Sequence, residues 1–307
     1  FHQRYGGPHA EVNAINSVKD ELLLLNSTLY VSLEPCSHFG KTPPCADLII
    51  QKKIPRVVIG TVDPNPDVAG RGIEKLRNEG CTVTVGIMEN ESRELNRRFF
   101  NFHRKKRPYI VLKWAQTANG FVDTIRAIEE QGRPLWIADE IARIAVHKQR
   151  STEEAIFIGT ETALKDNPSL TLRDWYGKQP LRIIIDTNNR LPKNLNIFDG
   201  KAKTIIISDK YHNISSNTLN VVIDNADAIQ SLLNYLYSKK ILSIIIEGGP
   251  NTLQHFINRG LWDEAHIYQG NIEFKDGIKA PDFDQTVPVS KEDFTCSQLS
   301  IFRNQQD

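Results

Sequence analysis

The sequence is poor in cysteine and has no long run of apolar residues. Only four of its 307 residues are cysteine, and one is methionine. So few cysteines do not form the disulfide framework of a secreted protein, and they favour a reducing, cytoplasmic location. No stretch of about 18 consecutive apolar residues occurs, so we expect no membrane-spanning helix and no membrane partner.

The chain also lacks an excess of charge of either sign. Its formal net charge is +1, from 38 Lys and Arg against 37 Asp and Glu. Dedicated nucleic-acid binders neutralise phosphates with surplus cations, so this balance argues against a nucleic-acid partner. One basic stretch interleaved with phenylalanine, residues 97–108, could bind single-stranded nucleic acid. The favoured interpretation of this stretch is the end of a helix that leads into a linker.

Apolar residues are abundant enough for two hydrophobic cores. They make up 40% of the chain, and 307 residues favour about two domains. Short β-rich runs alternate with segments of helical spacing, beginning with a helix over 10–25 and a strand over 28–33. This alternation predicts an α/β architecture. It breaks at the basic stretch, so we place two domains at 1–103 and 107–307.

The predicted strands of the second domain are continuous apolar runs. Examples are AIFIG (155–159), KTIIIS (203–208) and LSIIIEGG (242–249). Runs without alternation indicate burial on both faces, as in a mostly parallel sheet. Helices are expected over 138–149, 226–239 and 250–259.

Two short segments of the first domain contain a candidate zinc site. They read HAEVNAI at 9–15 and PCSHFGKTPPC at 35–45. A hydrolytic zinc site takes three protein ligands and keeps one position open for water, and imidazole and thiolate are suitable donors. His9, Cys36 and Cys45 supply three such donors. His9 and Cys45 lie at predicted helix starts, whose dipoles favour thiolate over thiol.

Glu11, two residues from His9, is expected beside this site rather than in it. A carboxylate there can take a proton from water and pass it to a leaving amine. Zinc nucleobase deaminases carry this device as H-x-E followed by P-C-x-x-C. Here eight residues separate the two cysteines instead of two. A structural zinc site normally takes four protein ligands and no fourth is evident, which favours a catalytic site.

These segments, with DPNPDVAGRGIEKLRNEG at 63–80, closely resemble the deaminase half of the bifunctional riboflavin-biosynthesis deaminase/reductase family, the RibD type. The eight-residue gap is that family's form. The resemblance implies one zinc ion on His9, Cys36 and Cys45, with Glu11 as the proton shuttle. It also implies substrate contacts from His2, His38, Lys41, Asp63 and Asn65. The family's substrate is a diaminopyrimidinone that carries a ribosylamino 5′-phosphate.

The family has a helix and two strands ahead of its HAE motif, including part of the substrate pocket. This chain begins at Phe1 with neither a methionine nor a signal-like segment. We therefore expect upstream sequence to be missing and the deaminase domain to be N-terminally incomplete. In a protein that truly began at Phe1, we would expect the deaminase activity to be impaired.

The second domain has a glycine turn between a predicted strand and helix, IIIEGGPNTL at 244–253. Glycines let the backbone approach a ligand, and a helix N-terminus offers N–H groups to a phosphate. The turn lacks the spacing G-x-G-x-x-G, so we predict no Rossmann dinucleotide site, and alone it is typical of a plain strand–helix turn. Arg150 and Arg173 could clamp a phosphate, although each alone is typical of a surface arginine.

Five segments of this domain follow the order and spacing of the reductase half of the same family, which has a dihydrofolate-reductase-like fold. They are RPYIVLKWAQTANG, PLWIADEIARIAVHKQR, GTETALKDNPSLTLR, PLRIIID and EGGPNTL. By analogy NADPH would contact Ala115, Trp136, Thr162, Asp166, Thr187, Gly249, Pro250, Asn251 and Thr252. The substrate would contact Arg150, Leu170, Arg173 and Glu247. The implied fold is a three-layer cytidine-deaminase-like domain followed by a dihydrofolate-reductase-like α/β domain.

Two departures from the family pattern affect these reductase contacts. The family usually has lysine at the position of Phe121, and Ser-x-Trp-Ile-Thr where Pro134 to Ala138 stand. The loss of that lysine and of a hydroxyl at 138 could alter ligand contacts.

The resemblance implies two successive reactions. The first is hydrolytic deamination of 2,5-diamino-6-ribosylamino-4(3H)-pyrimidinone 5′-phosphate. The second is NADPH-dependent reduction of the ribosyl group to ribityl, in a homodimer or higher oligomer formed by the reductase half. A nucleobase or RNA deaminase with an accessory domain, and a non-catalytic zinc-containing module, stay open as alternatives. The last would hold zinc but neither release ammonia nor oxidise NADPH.

Overall fold

A computed structural model describes residues 7–39, 43–66, 68–125, 135–211, 218–223 and 227–304. The chain divides into two compact units, Phe1–Lys105 and Lys106–Asp307. Among the helices in the described ranges, none has both the length and the apolar character needed to cross a membrane.

The first unit is built on a parallel sheet of three strands. The strands β1 (Thr28–Leu33), β2 (Arg56–Thr61) and β3 (Thr82–Val85) lie side by side in chain order. Its helices are α1 (Ala10–Asn16), α2 (Cys45–Gln51), α3 (Arg71–Asn78), α4 (Glu89–Leu95) and α5 (Arg97–Lys105), with a 3₁₀ helix over Glu21–Asn26.

Helices cover both faces of this sheet. On one face, Ile59 of β2 is fully buried against Ile49 of α2 and Leu76 of α3. Side chains alternate along a strand, so the next residue, Gly60, faces the other side. There a Cβ atom on Gly60 would come within 2.0 Å of Ser92 Oγ in α4, so glycine allows this helix to pack closely. The unit therefore has three layers, helix, sheet and helix.

The predicted helix over 10–25 is wrong in its second half. Helix α1 ends at Asn16, and a 3₁₀ helix covers Glu21–Asn26. The Asp20 side chain caps this second element by accepting a hydrogen bond from the Leu22 N–H at 3.0 Å. This cap starts a new, tighter helix at Glu21.

The basic stretch expected to end a helix and become a linker is mostly helical. Helix α5 begins at Arg97, directly after α4, and extends to Lys105. Phe100 and Phe102 of α5 are buried, and the Arg104 guanidinium lies 5.2 Å from the Phe100 ring centre. These phenylalanines therefore belong to the core of the unit rather than to an exposed stacking surface.

The second unit is built on a nine-stranded sheet. Its strands are β4 (Tyr109–Gln116), β6 (Ala155–Ile158), β7 (Leu181–Ile185), β8 (Thr204–Ser208), β9 (Thr218–Val222), β10 (Ser243–Ile246), β11 (Glu264–Gly270), β13 (Ser290–Asp293) and β14 (Ser297–Arg303). They lie side by side in the order β13-β14-β11-β4-β10-β6-β7-β8-β9. A separate pair consists of β5 (Phe121–Asp123) and β12 (Ile278–Lys279). All neighbours from β11 to β9 run parallel, and β14 is antiparallel to both of its neighbours. The mostly parallel sheet is confirmed.

Helices cover both faces of this sheet as well. They are α6 (Glu140–Thr152), α7 (Thr160–Asp166), α8 (Ala228–Ser238) and α9 (Pro250–Asn258), and α7 was not predicted. The adjacent residues Ile244 and Ile245 of β10 are fully buried in different hydrophobic clusters. Ile244 packs in the cluster that contains Leu233 of α8 and Phe256 of α9, and Ile245 packs with Leu170. The apolar run of this strand therefore reflects burial on both faces.

The central strands bring several sequence-distant segments to one edge. Strands β4, β10, β6 and β7 are parallel neighbours, so their carboxyl ends lie together. Ala115 lies near the end of β4, and Gly249, Thr162 and Thr187 follow the ends of β10, β6 and β7. In open α/β sheets this edge is where ligands bind.

Candidate active sites

The three predicted zinc ligands meet in the first unit. His9 directly precedes α1, Cys36 follows β1, and Cys45 is the first residue of α2. His9 Nδ1 lies 3.6 Å from Cys36 Sγ and 3.3 Å from Cys45 Sγ. One ligand atom from each residue lies within 4.8 Å of the others. Two sulfurs and an imidazole nitrogen this close fit zinc with one position left open.

The two thiols differ sharply in their affinity for a proton. The pKa of Cys36 is lowered to about 4 because the Cys45 thiol donates a hydrogen bond to its sulfur, and the Cys45 N–H donates to it at 3.3 Å. The pKa of Cys45 is raised because its thiol makes that hydrogen bond and is buried. Cys36 is therefore already disposed to be a thiolate, the form that binds metal, and ligation by Cys45 would release a proton.

Glu11 lies in the first turn of α1, beside the ligand cluster. Burial raises its pKa, and its carboxylate interacts with the Cys45 thiol. The metal-ligand group found among the described residues consists of His9, Cys36 and Cys45 without Glu11. The carboxylate thus borders the cluster, which suits a group that carries protons rather than binds metal.

Asp63 and Asn65 lie on the loop between β2 and α3. The Asp63 side chain is buried, and its Oδ1 accepts a hydrogen bond from the Asn65 N–H at 2.7 Å. Burial raises the pKa of Asp63 to about 6, while the charge of His38 acts in the opposite direction and that of Cys36 adds to the rise. This loop therefore lies electrostatically close to His38 and the ligand cluster. Two other predicted substrate contacts, His2 and Lys41, lie outside the described residues.

Glu247, directly after β10, is held by two cations in the second unit. Arg150 donates from Nε to Oε1 at 2.6 Å and from Nη2 to Oε2 at 2.7 Å. The ammonium of Lys113 lies 3.7 Å from Oε2. Burial raises the pKa of Glu247, but the charges of Arg150 and Lys113 outweigh it and lower the pKa to about 2. Lys113 was missed from the sequence, where its signal is a lysine inside the apolar strand YIVLKWA.

The other predicted substrate contacts of this unit lie on the loop after α7. Leu170 is buried and has φ of 53°, a left-handed conformation that leucine rarely adopts. The Arg173 side chain is exposed, and the backbone N–H of Arg173 donates to Nδ1 of His147 at 3.3 Å. Burial and the charge of Arg150 lower the pKa of His147 to about 4, so this ring is neutral. Because Arg150 already binds Glu247 through two nitrogens, the phosphate clamp by Arg150 and Arg173 stays a prediction.

Several predicted NADPH contacts come together where β6 and β10 end. The Gly249 N–H donates to Thr162 Oγ1 at 2.8 Å. A Cβ atom on Gly159 would lie 2.7 Å from Oγ1 of Thr252, so glycine is needed for this approach. Pro250 and Asn251 occupy the first turn of α9, where proline is favoured because its missing N–H has no helical partner.

The remaining predicted NADPH contacts are more widely spread. Ala115 of β4 packs on the cluster that α6 forms with Tyr268 of β11 and Leu299 of β14, and Thr187 follows β7. Asp166 is the last residue of α7. Trp136 is 53% exposed, and the guanidinium of Arg143 lies 5.3 Å from its ring centre.

Two residues that depart from the family pattern, Phe121 and Ala138, pack in the structure through their apolar side chains. Phe121 is buried, and the Lys279 ammonium lies 4.0 Å from its ring centre, which is a cation–π distance. Ala138 packs on the cluster that contains Val146 and Tyr268. Pro134 lies outside the described residues.

Two family models match the chain, one in each unit. The cytidine and deoxycytidylate deaminase zinc-binding region matches residues 2–61, and the RibD C-terminal domain matches residues 108–272. The chain is 39% identical over 274 residues to the riboflavin biosynthesis protein RibD of Aquifex aeolicus (strain VF5), covering 87% of this chain and 75% of that protein.

Solved structures resemble almost the whole chain. A diaminohydroxyphosphoribosylaminopyrimidine deaminase/5-amino-6-(5-phosphoribosylamino)uracil reductase from Thermotoga maritima aligns with TM-score 0.87 and 36% identity, over 99% of this chain and 87% of that one. RibD of Acinetobacter baumannii aligns with TM-score 0.89 and 28% identity, over 99% and 88%. The expected fold class is confirmed as α/β, with a cytidine-deaminase-like part followed by a RibD C-terminal reductase part.

Proposed function

This chain belongs to the RibD family of riboflavin-biosynthesis proteins, and we propose which of its residues carry out the family's two reactions. It is a zinc-dependent deaminase and an NADPH-dependent reductase. It deaminates 2,5-diamino-6-ribosylamino-4(3H)-pyrimidinone 5′-phosphate and then reduces the ribosyl group of the product to ribityl. The deaminase roles fall in the first unit and the reductase roles in the second.

The cluster of His9, Cys36 and Cys45 is the observation that carries the deaminase assignment. These residues hold zinc, which when bound makes water a competent nucleophile at neutral pH. Glu11, at the border of the cluster, takes the proton of the attacking water and delivers it to the departing ammonia. Asp63 and Asn65 bind the pyrimidine part of the substrate from the neighbouring loop.

The reductase step uses the carboxyl edge of the large sheet. When bound there, NADPH would supply the hydride that C1′ of the open-chain sugar imine requires. The two turns that the hydrogen bond between Gly249 and Thr162 links bind the cofactor. Glu247, held by Arg150, orients the substrate. Positioning and charge are the contribution of the protein to this step.

Separate assays of ammonia release and NADPH oxidation test this assignment. Glu11→Gln is expected to stop ammonia release from the diaminopyrimidinone phosphate while still oxidising NADPH when given the deaminated intermediate. Glu247→Gln is expected to show the opposite pattern. If either variant lost both activities while remaining folded, the division of roles between the two units would be wrong.

We also propose that the protein works in the cytoplasm as a homodimer or higher homo-oligomer formed through the second unit. The cytoplasmic proposal is supported by the free cysteines Cys36, Cys45, Cys81 and Cys296, because a reducing compartment keeps thiols available for metal. The dimer rests on the family resemblance alone. Light scattering coupled to size-exclusion chromatography tests it, and a mass near the 34.9 kDa of one chain would contradict it.

A further inference from the structure

Glu34 is a buried carboxylate at the end of β1 that has none of the roles described above. It is 3% exposed and precedes Pro35 and Cys36. Its N–H donates to the Thr61 carbonyl oxygen at 3.0 Å, which continues the pairing of β1 with β2. Charged side chains are seldom buried unless they are fully paired, so hydrogen bonds are expected to compensate this carboxylate.

The carboxylate accepts four hydrogen bonds, all from backbone N–H groups on the loop that follows β2 and on the first turn of α3. Oε2 accepts from Asp63 at 3.2 Å and from Gly70 at 2.9 Å. Oε1 accepts from Gly72 at 2.9 Å and from Ile73 at 3.2 Å. Hydrogen bonds to an ionised acceptor are roughly twice as strong as neutral ones, so one side chain fastens both ends of this loop.

Two glycines adapt the loop to this carboxylate. A Cβ atom on Gly72, in the first turn of α3, would lie 2.1 Å from the Pro35 carbonyl oxygen, so any larger residue would push the start of this helix away. Gly70 has φ of 78°, which side-chain-bearing residues rarely adopt. Both glycines therefore let the backbone N–H groups reach Glu34.

The segments that Glu34 joins are the two that form the proposed deaminase site. On one side it is two residues from the ligand Cys36. On the other it holds the backbone of Asp63, whose Oδ1 in turn fixes Asn65 by a 2.7 Å hydrogen bond. The distance between the zinc ligands and the substrate-binding loop thus depends on this carboxylate.

We propose that Glu34 is a positioning residue of the deaminase, which sets the affinity for the pyrimidine substrate by fixing the loop of Asp63 and Asn65 against the zinc-ligand segment. This inference rests on the proposed substrate contacts of those two residues. Glutamine cannot replace the carboxylate, because it has one acceptor oxygen and would present an NH₂ group to N–H donors.

Steady-state ammonia release by the full chain with Glu34→Gln tests the proposal. We expect KM for the diaminopyrimidinone phosphate to rise about 10-fold to 100-fold, since hydrogen bonds to a charged group are lost. We expect kcat to change by less than about threefold and zinc content to equal that of the parent. The control is Glu74→Gln, the same substitution at an exposed position of α3, which should leave KM unchanged.

A double-mutant cycle with Asp63→Ala separates positioning from a general structural role. If Glu34 acts through this loop, Glu34→Gln should raise KM less in the Asp63→Ala background than in the parent. Fully additive effects, an unchanged KM, or loss of zinc from Glu34→Gln would each overturn the proposal. If Asp63→Ala alone leaves KM unchanged, the proposed substrate contact fails instead.

Folding of each variant is verified by its circular dichroism spectrum, and NADPH oxidation with the deaminated intermediate verifies that the second unit is intact. Should Glu34→Gln fail to fold, Glu34→Asp carries the test. It keeps the charge but is one methylene shorter, so it should raise KM by a smaller factor than expected for glutamine. An unchanged KM in the folded aspartate variant would then contradict the proposal.

Discussion

Arg150 and Glu247 form a bidentate ion pair, with hydrogen bonds of 2.6 and 2.7 Å, although 97 residues separate them in sequence. Both side chains are largely buried, at 11% and 6% exposure. Lys113 adds a second cation on the same carboxylate. One anion therefore compensates two buried cations, and its removal takes away the counter-charge that they share.

Glu247→Gln is expected to destabilise the second unit by about 3–5 kcal/mol, the usual cost of removing one partner of a buried ion pair. Urea unfolding followed by fluorescence measures this change. The matched control is Glu161→Gln, which breaks an exposed pair with Arg190 and should cost less than about 1 kcal/mol. Equal costs for the two variants would show that burial of the Glu247 pair is not what stabilises the unit.

Arg150→Lys keeps the positive charge but not the two-pronged hydrogen bond to Glu247. A lysine ammonium is a single point of charge and cannot bind both carboxylate oxygens in the same geometry. We expect NADPH oxidation with the deaminated intermediate to slow by about 10-fold to 100-fold. Ammonia release should stay at the parent rate. A reductase rate equal to that of the parent would mean that charge alone is sufficient at this position.

His147 makes the stability of the second unit depend on pH. Its folded pKa of about 4 lies below the ordinary 6.5, because the ring is buried and near Arg150. The unfolded chain thus binds the proton first as pH falls. The contribution of neutral His147 to the free energy of unfolding is fully present above about pH 6.5 and is lost as pH falls towards 4. It amounts to about 3 kcal/mol. Its side chain is only 2% exposed, so solvent screening is slight.

Thermal unfolding between pH 7.5 and 4.5 tests this dependence. The parent midpoint should fall across this range, and the midpoint of His147→Asn should fall less. Identical slopes for the two proteins would contradict the proposed titration. The control is His255→Asn, the same substitution at an exposed position of α9, which should retain the parent slope.

Metal removal should separate the two activities. A chelator is expected to abolish ammonia release and to leave NADPH oxidation with the deaminated intermediate intact, because the ligand cluster belongs to the first unit. Added zinc should restore ammonia release. A metal-free protein that still deaminated its substrate would refute a zinc-dependent reaction.

The zinc-ligand cluster could be predicted from the sequence because a short local pattern marks the position of each ligand. His9 and Cys45 lie at helix starts and Cys36 follows a strand, and short patterns reveal such positions. The order of apolar runs likewise predicted the parallel strands of the second unit. The polar strand β13, SKED, is exposed at every residue, so no hydrophobic pattern marked it.

The roles of Glu34 and Lys113 could not be read in the same way. Glu34 receives its hydrogen bonds from residues 29 to 39 positions away, and Lys113 meets Glu247 from a different strand. The local sign is a charged residue directly after a strand for Glu34 and inside an apolar strand for Lys113. Which partners neutralise such a charge is decided by the packing of distant segments, and no spacing rule contains that information.

The most direct test of the account is zinc content and ammonia release, measured side by side on the parent, Glu11→Gln and Cys36→Ser. We predict one zinc ion per chain in the parent and in Glu11→Gln, ammonia release from the parent only, and little zinc in Cys36→Ser. Ammonia release by Glu11→Gln at the parent rate, or full zinc content in an active Cys36→Ser, would contradict the assignment of His9, Cys36 and Cys45 as ligands with Glu11 as proton carrier.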